Sequence, residues 1–160
     1  MSQITFDRAF PMVTLELIDQ INLKAVFDID VAPSQQGFVA RNAWSLAQAL
    51  TEPEVAWPRA IVADSVVVGF LMLEIDPNDE DDRAFFLWRL MVGAEYQGRG
   101  FGSLAVAAAC DEVRGRGGTE LYTSWVEGDG GPGPFYLKLG FVPTGEIDDG
   151  ETVGRLGLTG

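Results

Sequence analysis

Apolar and polar positions change period several times along the chain, and each change predicts an element. Val13-Thr-Leu-Glu-Leu17 alternates with a period of two, which predicts a half-buried strand, and Asp19 follows where a helix N-cap belongs. Residues 20 to 29 read as a helix. Val39, Ala43, Leu46, Ala47 and Leu50 recur at i, i+4, i+7, i+8 and i+11, the single apolar stripe of a second helix, and Pro53 and Pro58 bracket its exit. From Arg59 the pattern turns to β. Ala60 to Ala63 and Val66 to Leu73 flank Asp64-Ser65 as a hairpin. Phe85-Phe-Leu-Trp-Arg-Leu-Met-Val92 is apolar on both faces, as a strand in the middle of a sheet must be. A Gly-rich turn at Gln97 to Gly102 leads into a helix from Ser103 to Arg116, ended by Gly117-Gly118. Glu120 to Val126 is the next strand, Gly128 to Gly133 a loop, and Pro134 to Leu139 a short helix capped by Gly140. Phe141 to Ile147 and Thr152 to Leu158 form a last hairpin, turning at Asp148-Asp-Gly150. No repeat, linker or low-complexity tract divides the 160 residues, so one domain is expected, with residues 1–12 as an N-terminal extension.

Composition narrows the chemistry. Apolar residues make up 47% of the chain, enough for a substantial core, while 11 Lys and Arg against 24 Asp and Glu give a net charge of −13. Such a surface repels phosphate backbones and anionic lipid, so neither nucleic acid nor a membrane is an expected partner; a cationic amine substrate is favoured. Histidine is absent, which excludes Ser-His-Asp and Cys-His catalysis, an imidazole base and His-ligated zinc; no metal site is expected. The lone Cys110 lies in the run Leu104-Ala-Val-Ala-Ala-Ala-Cys110 and reads as a packed thiol in a reducing compartment. Without a membrane-length apolar run or a signal-peptide pattern at MSQITFDRAF, a soluble, cytoplasmic protein is expected.

The most informative segment is Leu90-Met-Val-Gly-Ala-Glu-Tyr-Gln-Gly-Arg-Gly-Phe-Gly102, which sets three closely spaced glycines, Gly98, Gly100 and Gly102, and an arginine between a buried strand and a helix start. Glycines let a ligand approach the backbone, the first helical amides have no intrahelical partner, and the helix dipole adds positive potential. Together these make an anion cradle suited to a diphosphate, with Arg99 adding a charge-assisted contact. The Lys-Ser/Thr of a nucleotide-binding P-loop is missing, and a dinucleotide fingerprint would follow the first strand of a βαβ unit.

At these residues the chain resembles the GNAT superfamily of N-acetyltransferases. Gln97-Gly-Arg-Gly-Phe-Gly102 matches that family's Gln/Arg-x-x-Gly-x-Gly/Ala acetyl-CoA signature, and Phe135-Tyr-Leu-Lys-Leu-Gly-Phe141 its Tyr-bearing short helix ahead of Leu-Gly-Phe. The order of elements also follows the family's, across residues 13 to 158. Within it, Phe38 to Ala49, Leu87-Trp-Arg-Leu-Met91 and the Gly-Asp-Gly-Gly-Pro loop are most similar to the bacterial diamine and spermine/spermidine acetyltransferase-like branch. The resemblance implies an α/β (α+β) fold with a mixed, mostly antiparallel sheet of about seven strands, splayed at the acetyl-CoA site and flanked by about four helices. It implies acetyl-CoA as cosubstrate, a polyamine or diamine acceptor, and an enzyme that often dimerises. Gln97, Gly98, Arg99, Gly100, Phe101, Gly102 and Ser103 would hold the CoA diphosphate, Leu90, Met91 and Val92 would pair with pantetheine as with an added strand, and Asp129 would lie in the CoA-contacting loop. Tyr136 would donate a proton to the departing thiolate.

The general base stays open among Glu74, Glu127 and Asp129, since Trp88 stands where some polyamine acetyltransferases carry a carboxylate. Trp44, Trp88 and Trp125 would form an aromatic wall for the substrate ammonium. Arg89, a charge inside an apolar strand, calls for a helix carboxylate or the substrate as partner. The acidic turns Asp79 to Asp82 and Asp148 to Glu151 read as solvated surface. The alternatives are a peptide, protein or antibiotic amine as acceptor, or an acyl-CoA-binding module without catalysis.

Overall fold

A computed structural model describes residues 11–38 and 40–158. Val39 of the apolar stripe and residues 1–10 of the N-terminal extension lie outside the described residues. In chain order the elements are β1 (Thr14–Glu16), α1 (Leu23–Phe27), α2 (Asn42–Thr51), β2 (Ala56–Ala63), β3 (Val66–Ile75), β4 (Phe85–Val92), α3 (Phe101–Gly115), β5 (Glu120–Trp125), α4 (Gly133–Leu139), β6 (Val142–Asp148) and β7 (Glu151–Gly157). Short 3-10 turns cover Pro33–Phe38 and Ala94–Tyr96. The strands form one sheet in the order β1-β2-β3-β4-β5-β7-β6, antiparallel except between β4 and β5. It is the mixed, mostly antiparallel seven-stranded sheet expected, with β4 at its centre.

The sheet buries both faces. Leu71, Leu73 and Leu87 pack with Leu121, Trp125 and Phe141 against Ala105, Val106 and Ala109 of α3, while Ala60, Phe70 and Met72 pack with Val26 of α1 on the other side. Alternation along β3 explains the division, because successive side chains leave a strand on opposite faces. Asp64 and Ser65 turn the β2–β3 hairpin with φ of 47° and 64°, the left-handed pair whose twist matches the strands.

Three expectations shift. The carboxylate of Asp19 accepts the amides of Ile21 and Asn22 at 2.8 and 3.0 Å, which organises a turn first, so α1 starts only at Leu23. β2 starts at Ala56, with Pro58 inside it, because β1 pairs only with Ala60 to Val62 and the missing N–H of Pro58 costs no outer ladder bond. α2 is rotated from its apolar stripe: Leu46 is half-buried, but Leu50 is 83% exposed, and the face turned inward carries Asn42 and Ser45. Long-range polar partners cause the rotation. Asn42 donates to the Val26 carbonyl at 2.7 Å, and Ser45 and Gln48 meet the guanidinium of Arg89 on β4.

Candidate active site

The site grows from a defect at the sheet's centre. β4 and β5 pair only at Phe86 with Tyr122 and Leu87 with Thr123, then separate. The β3–β4 register jumps from Leu73–Leu87 to Met72–Arg89, which leaves Trp88 as the extra residue of a β-bulge, and a bulge bends and twists its strand. Beyond it, among the described residues, the outer edge of Leu90, Met91 and Val92 has no strand partner. Gly69 holds that edge close to β3, since a Cβ there would lie 2.2 Å from the Met91 carbonyl oxygen.

A cavity of 410 Å³ runs from this edge to the start of α3, bounded by Gly98, Gly100, Gly102, Ser103, Gly131 and Phe135 among others. Gly98 and Gly100 take φ of 75° and 83°, a conformation that disfavours side chains, and Gly100 caps α3. The Leu104 amide bonds the Gly100 carbonyl at 3.1 Å, and Gly102 and Ser103, in the open first turn before it, line the cavity. Gln97 shapes this loop, donating to the Val92 carbonyl at 3.0 Å and to Gln35 at 2.8 Å.

A second cavity, 200 Å³, opens in the V between β4 and β5, where Trp88, Arg89, Ser124 and Glu151 meet. Tyr136 of α4 lines both cavities. Its ring stacks on Trp125 at 5.5 Å and meets Phe135 and Phe141 edge-on, which fixes its direction. Burial pushes the Tyr136 hydroxyl up to about 12, with the Thr123 hydroxyl opposing and Glu151 adding to the rise. It is therefore a protonated donor at neutral pH.

Residues 22–141 match the acetyltransferase (GNAT) family. The chain belongs to that family. An acetyltransferase from Thermus thermophilus superposes with a TM-score of 0.70 at 18% identity, covering 91% of this chain and 97% of its own. The PaiA N-acetyltransferase of Thermoplasma acidophilum, in complex with coenzyme A, gives 0.56 at 20% identity over 71% of this chain and 67% of its own. The N-acetylglutamate synthase of Neisseria gonorrhoeae, complexed with coenzyme A and N-acetyl-glutamate, gives 0.65 at 17% identity over 96% of this chain and 36% of its own. At these identities the likeness establishes the GNAT fold. No curated protein sequence matches the chain.

As a GNAT acetyltransferase the chain uses acetyl-CoA as cosubstrate, and the larger cavity fits that molecule: an unpaired strand edge for the pantetheine amides, then a glycine-lined helix start for the diphosphate. The residues expected at this site fall into three groups. Leu90, Met91, Val92, Gln97, Gly98, Gly100, Phe101, Gly102 and Ser103 all line the larger cavity; Arg99 is exposed beside it and donates to the Glu95 carbonyl at 3.4 Å, and Asp129 is exposed in the loop whose Gly130 and Gly131 reach it. The three tryptophans do not form one wall. Trp88 lines the smaller cavity, Trp125 touches it from a buried position with Nε1 on Glu127 at 2.7 Å, and Trp44 is 66% exposed on the outer face of α2. Glu74 lies outside the residues lining that cavity; burial first, then Asp79, Glu52 and Asp76, hold its carboxyl above the usual range.

Two residues were not foreseen in these roles. Glu151, read as solvated turn, is half-buried in the cleft and accepts a hydrogen bond from Ser124 at 3.1 Å. Its position one residue before the β7 alternation was the available sign, but its meaning depends on β7 pairing with β5. Arg89 meets a helix as expected, yet through a hydroxyl and an amide and not a carboxylate: Nε donates to Ser45 at 3.2 Å, Nη2 to Gln48 at 3.1 Å, and Nη1 to the Trp88 carbonyl at 2.7 Å.

Proposed function

We propose that this chain transfers the acetyl group of acetyl-CoA to a small primary amine that enters the 200 Å³ cleft. The observation that carries this reading is Tyr136, a residue that lines both cavities and so sits between the cosubstrate and the acceptor in this reading. Acetyl-CoA supplies a thioester, which the amine nitrogen attacks directly once neutral. Glu151, braced by Ser124, attracts the ammonium and takes up its proton, directly or through water, and this replaces Glu74, Glu127 and Asp129 as our base. Tyr136 offers its O–H to the developing thiolate. The main-chain amides at Gly98 to Ser103 hold the diphosphate.

The net charge of −13 favours encounter with a cation, and the branch resemblance puts polyamines and diamines among the amines to be tested as acceptor. Among the described residues no helix is long and apolar enough to cross a membrane, and the buried lone thiol of Cys110 suits a reducing cytoplasm. The decisive experiment is release of free CoA thiol from acetyl-CoA across a panel of amines. An acetyltransferase releases thiol only with its acceptor present. Calorimetric binding of acetyl-CoA with no thiol release from any amine would establish the noncatalytic CoA-binding module instead.

A further inference from the structure

We infer that the acceptor is an amine bearing a carboxylate, of the α-amino acid class, and that Arg89 binds the carboxylate; this rests on the acetyltransferase reading above. A guanidinium presents five N–H donors in a rigid fork that matches a carboxylate. Three of those donors are taken, by Ser45, Gln48 and the Trp88 carbonyl, and each of these acceptors is neutral. Among the described residues no carboxylate lies within ion-pair distance of Arg89, although acidic residues outnumber basic ones 24 to 11. One N–H on each terminal nitrogen remains, and Arg89 lines the cleft.

Holding a half-buried cation with neutral hydrogen-bond partners is costly even with Glu151 in electrostatic range, and α2 turns Ser45 and Gln48 inward to do so. A tie between α2 and β4 could be made by apolar side chains without this expense. What the charge adds is a site for an anion. Glu151 lines the same cleft and its field acts on both Arg89 and Tyr136, so the cleft, which Tyr136 also lines, presents one negative and one positive group. A zwitterionic amino acid satisfies both at once: ammonium on Glu151 next to the thioester, carboxylate on the Arg89 fork. A polyamine anchored at Glu151 would bring its second cation against Arg89. The bulk charge and the cleft thus favour different acceptors, and at contact distance the local charges decide, because the diffuse field is screened within ~10 Å at 0.1 M salt.

The test compares matched trios, an α-amino acid, its amide and its decarboxylated amine, together with spermidine, by CoA-thiol release expressed per unit of neutral amine. The wild type should prefer at least one amino acid over its amide and amine by ~10- to 100-fold in kcat/KM, the scale of a charge-assisted hydrogen-bonded pair. In Arg89→Met that ratio should collapse toward unity, and Arg89→Lys should retain part of it. Calorimetry of the wild type with the N-acetyl amino acid and its neutral amide gives a readout independent of turnover and of how the variants fold. Preference for spermidine or the decarboxylated amine over every amino acid, or a ratio unchanged in Arg89→Met, overturns the inference and leaves the acetyltransferase intact. Absence of thiol release with every amine overturns the acetyltransferase reading itself, and this inference with it.

Discussion

Tyr136→Phe removes one hydroxyl from a residue that is 7% exposed and keeps the ring stacked on Trp125 at 5.5 Å, so the fold should survive. Losing the contact with the Thr123 hydroxyl costs ~1 kcal/mol, or about 2–4 °C in Tm for a chain this long. The kinetic effect follows from the acidity. With its pKa pushed up to about 12, Tyr136 is a poor acid toward a thiolate whose own pKa is ~8.5, and complete proton transfer runs uphill. Its contribution is then a hydrogen bond to developing charge, ~1.5–3 kcal/mol, which predicts a kcat loss of ~10- to 150-fold with acetyl-CoA affinity nearly kept. Single-turnover thiol release under conditions where chemistry limits the rate measures this directly. Wild-type turnover in that variant would refute the role, and a loss above ~10⁴-fold would refute the hydrogen-bond account in favour of full general-acid catalysis. The pH dependence has a definite sign. The fold favours the neutral phenol, so the stability linked to it is complete below the ordinary value of 10.0 and is lost as pH rises through about 12. The Phe variant should therefore gain in Tm relative to wild type over that window only.

Glu151→Gln keeps the hydrogen bond from Ser124 but removes the charge, and should lower kcat/KM for the acceptor ~10- to 1,000-fold in the thiol assay while calorimetry finds acetyl-CoA binding unchanged. Gly69→Ala drives a Cβ to 2.2 Å from the Met91 carbonyl, so it should cost ~1–3 kcal/mol by denaturant unfolding and weaken acetyl-CoA binding through the displaced strand edge. At Gly100, with φ of 83°, a Val is strained even though a Cβ there meets nothing within 4 Å; binding should weaken at least ~10-fold by calorimetry on folded protein. Glu74→Gln should raise Tm at pH 7, because a carboxyl whose pKa is raised by burial and neighbouring carboxylates stabilises the fold only when protonated. Below its ordinary value of 4.5 the advantage should vanish, which melting curves at the two pH values would check.

Much of this protein was legible without a structure because its elements announce themselves locally. Period-two runs, the turn at Asp64-Ser65, the helix-ending glycines at Gly117-Gly118 and Gly140 and the apolar β4 each reflect backbone rules that act within a few residues, and each element formed where those rules place it, apart from shifted ends. The glycine spacing from Gly98 to Gly102 was legible for the same reason: a turn that lets a diphosphate reach helix amides must be written in consecutive residues. The apolar stripe of α2 misled because helical periodicity records which residues could face a core, and the Arg89 guanidinium, distant in sequence, decided which did. Glu151 was invisible as a cleft residue until β7 paired with β5, since one step of register decides whether a turn carboxylate meets solvent or Ser124. The bulge at Trp88, the splay it starts and the joining of two cavities at Tyr136 likewise depend on strands brought together from separate parts of the chain. Local sequence fixes dihedral preference and periodicity, whereas the charges that meet in this cleft are set by pairing between elements that no short window contains.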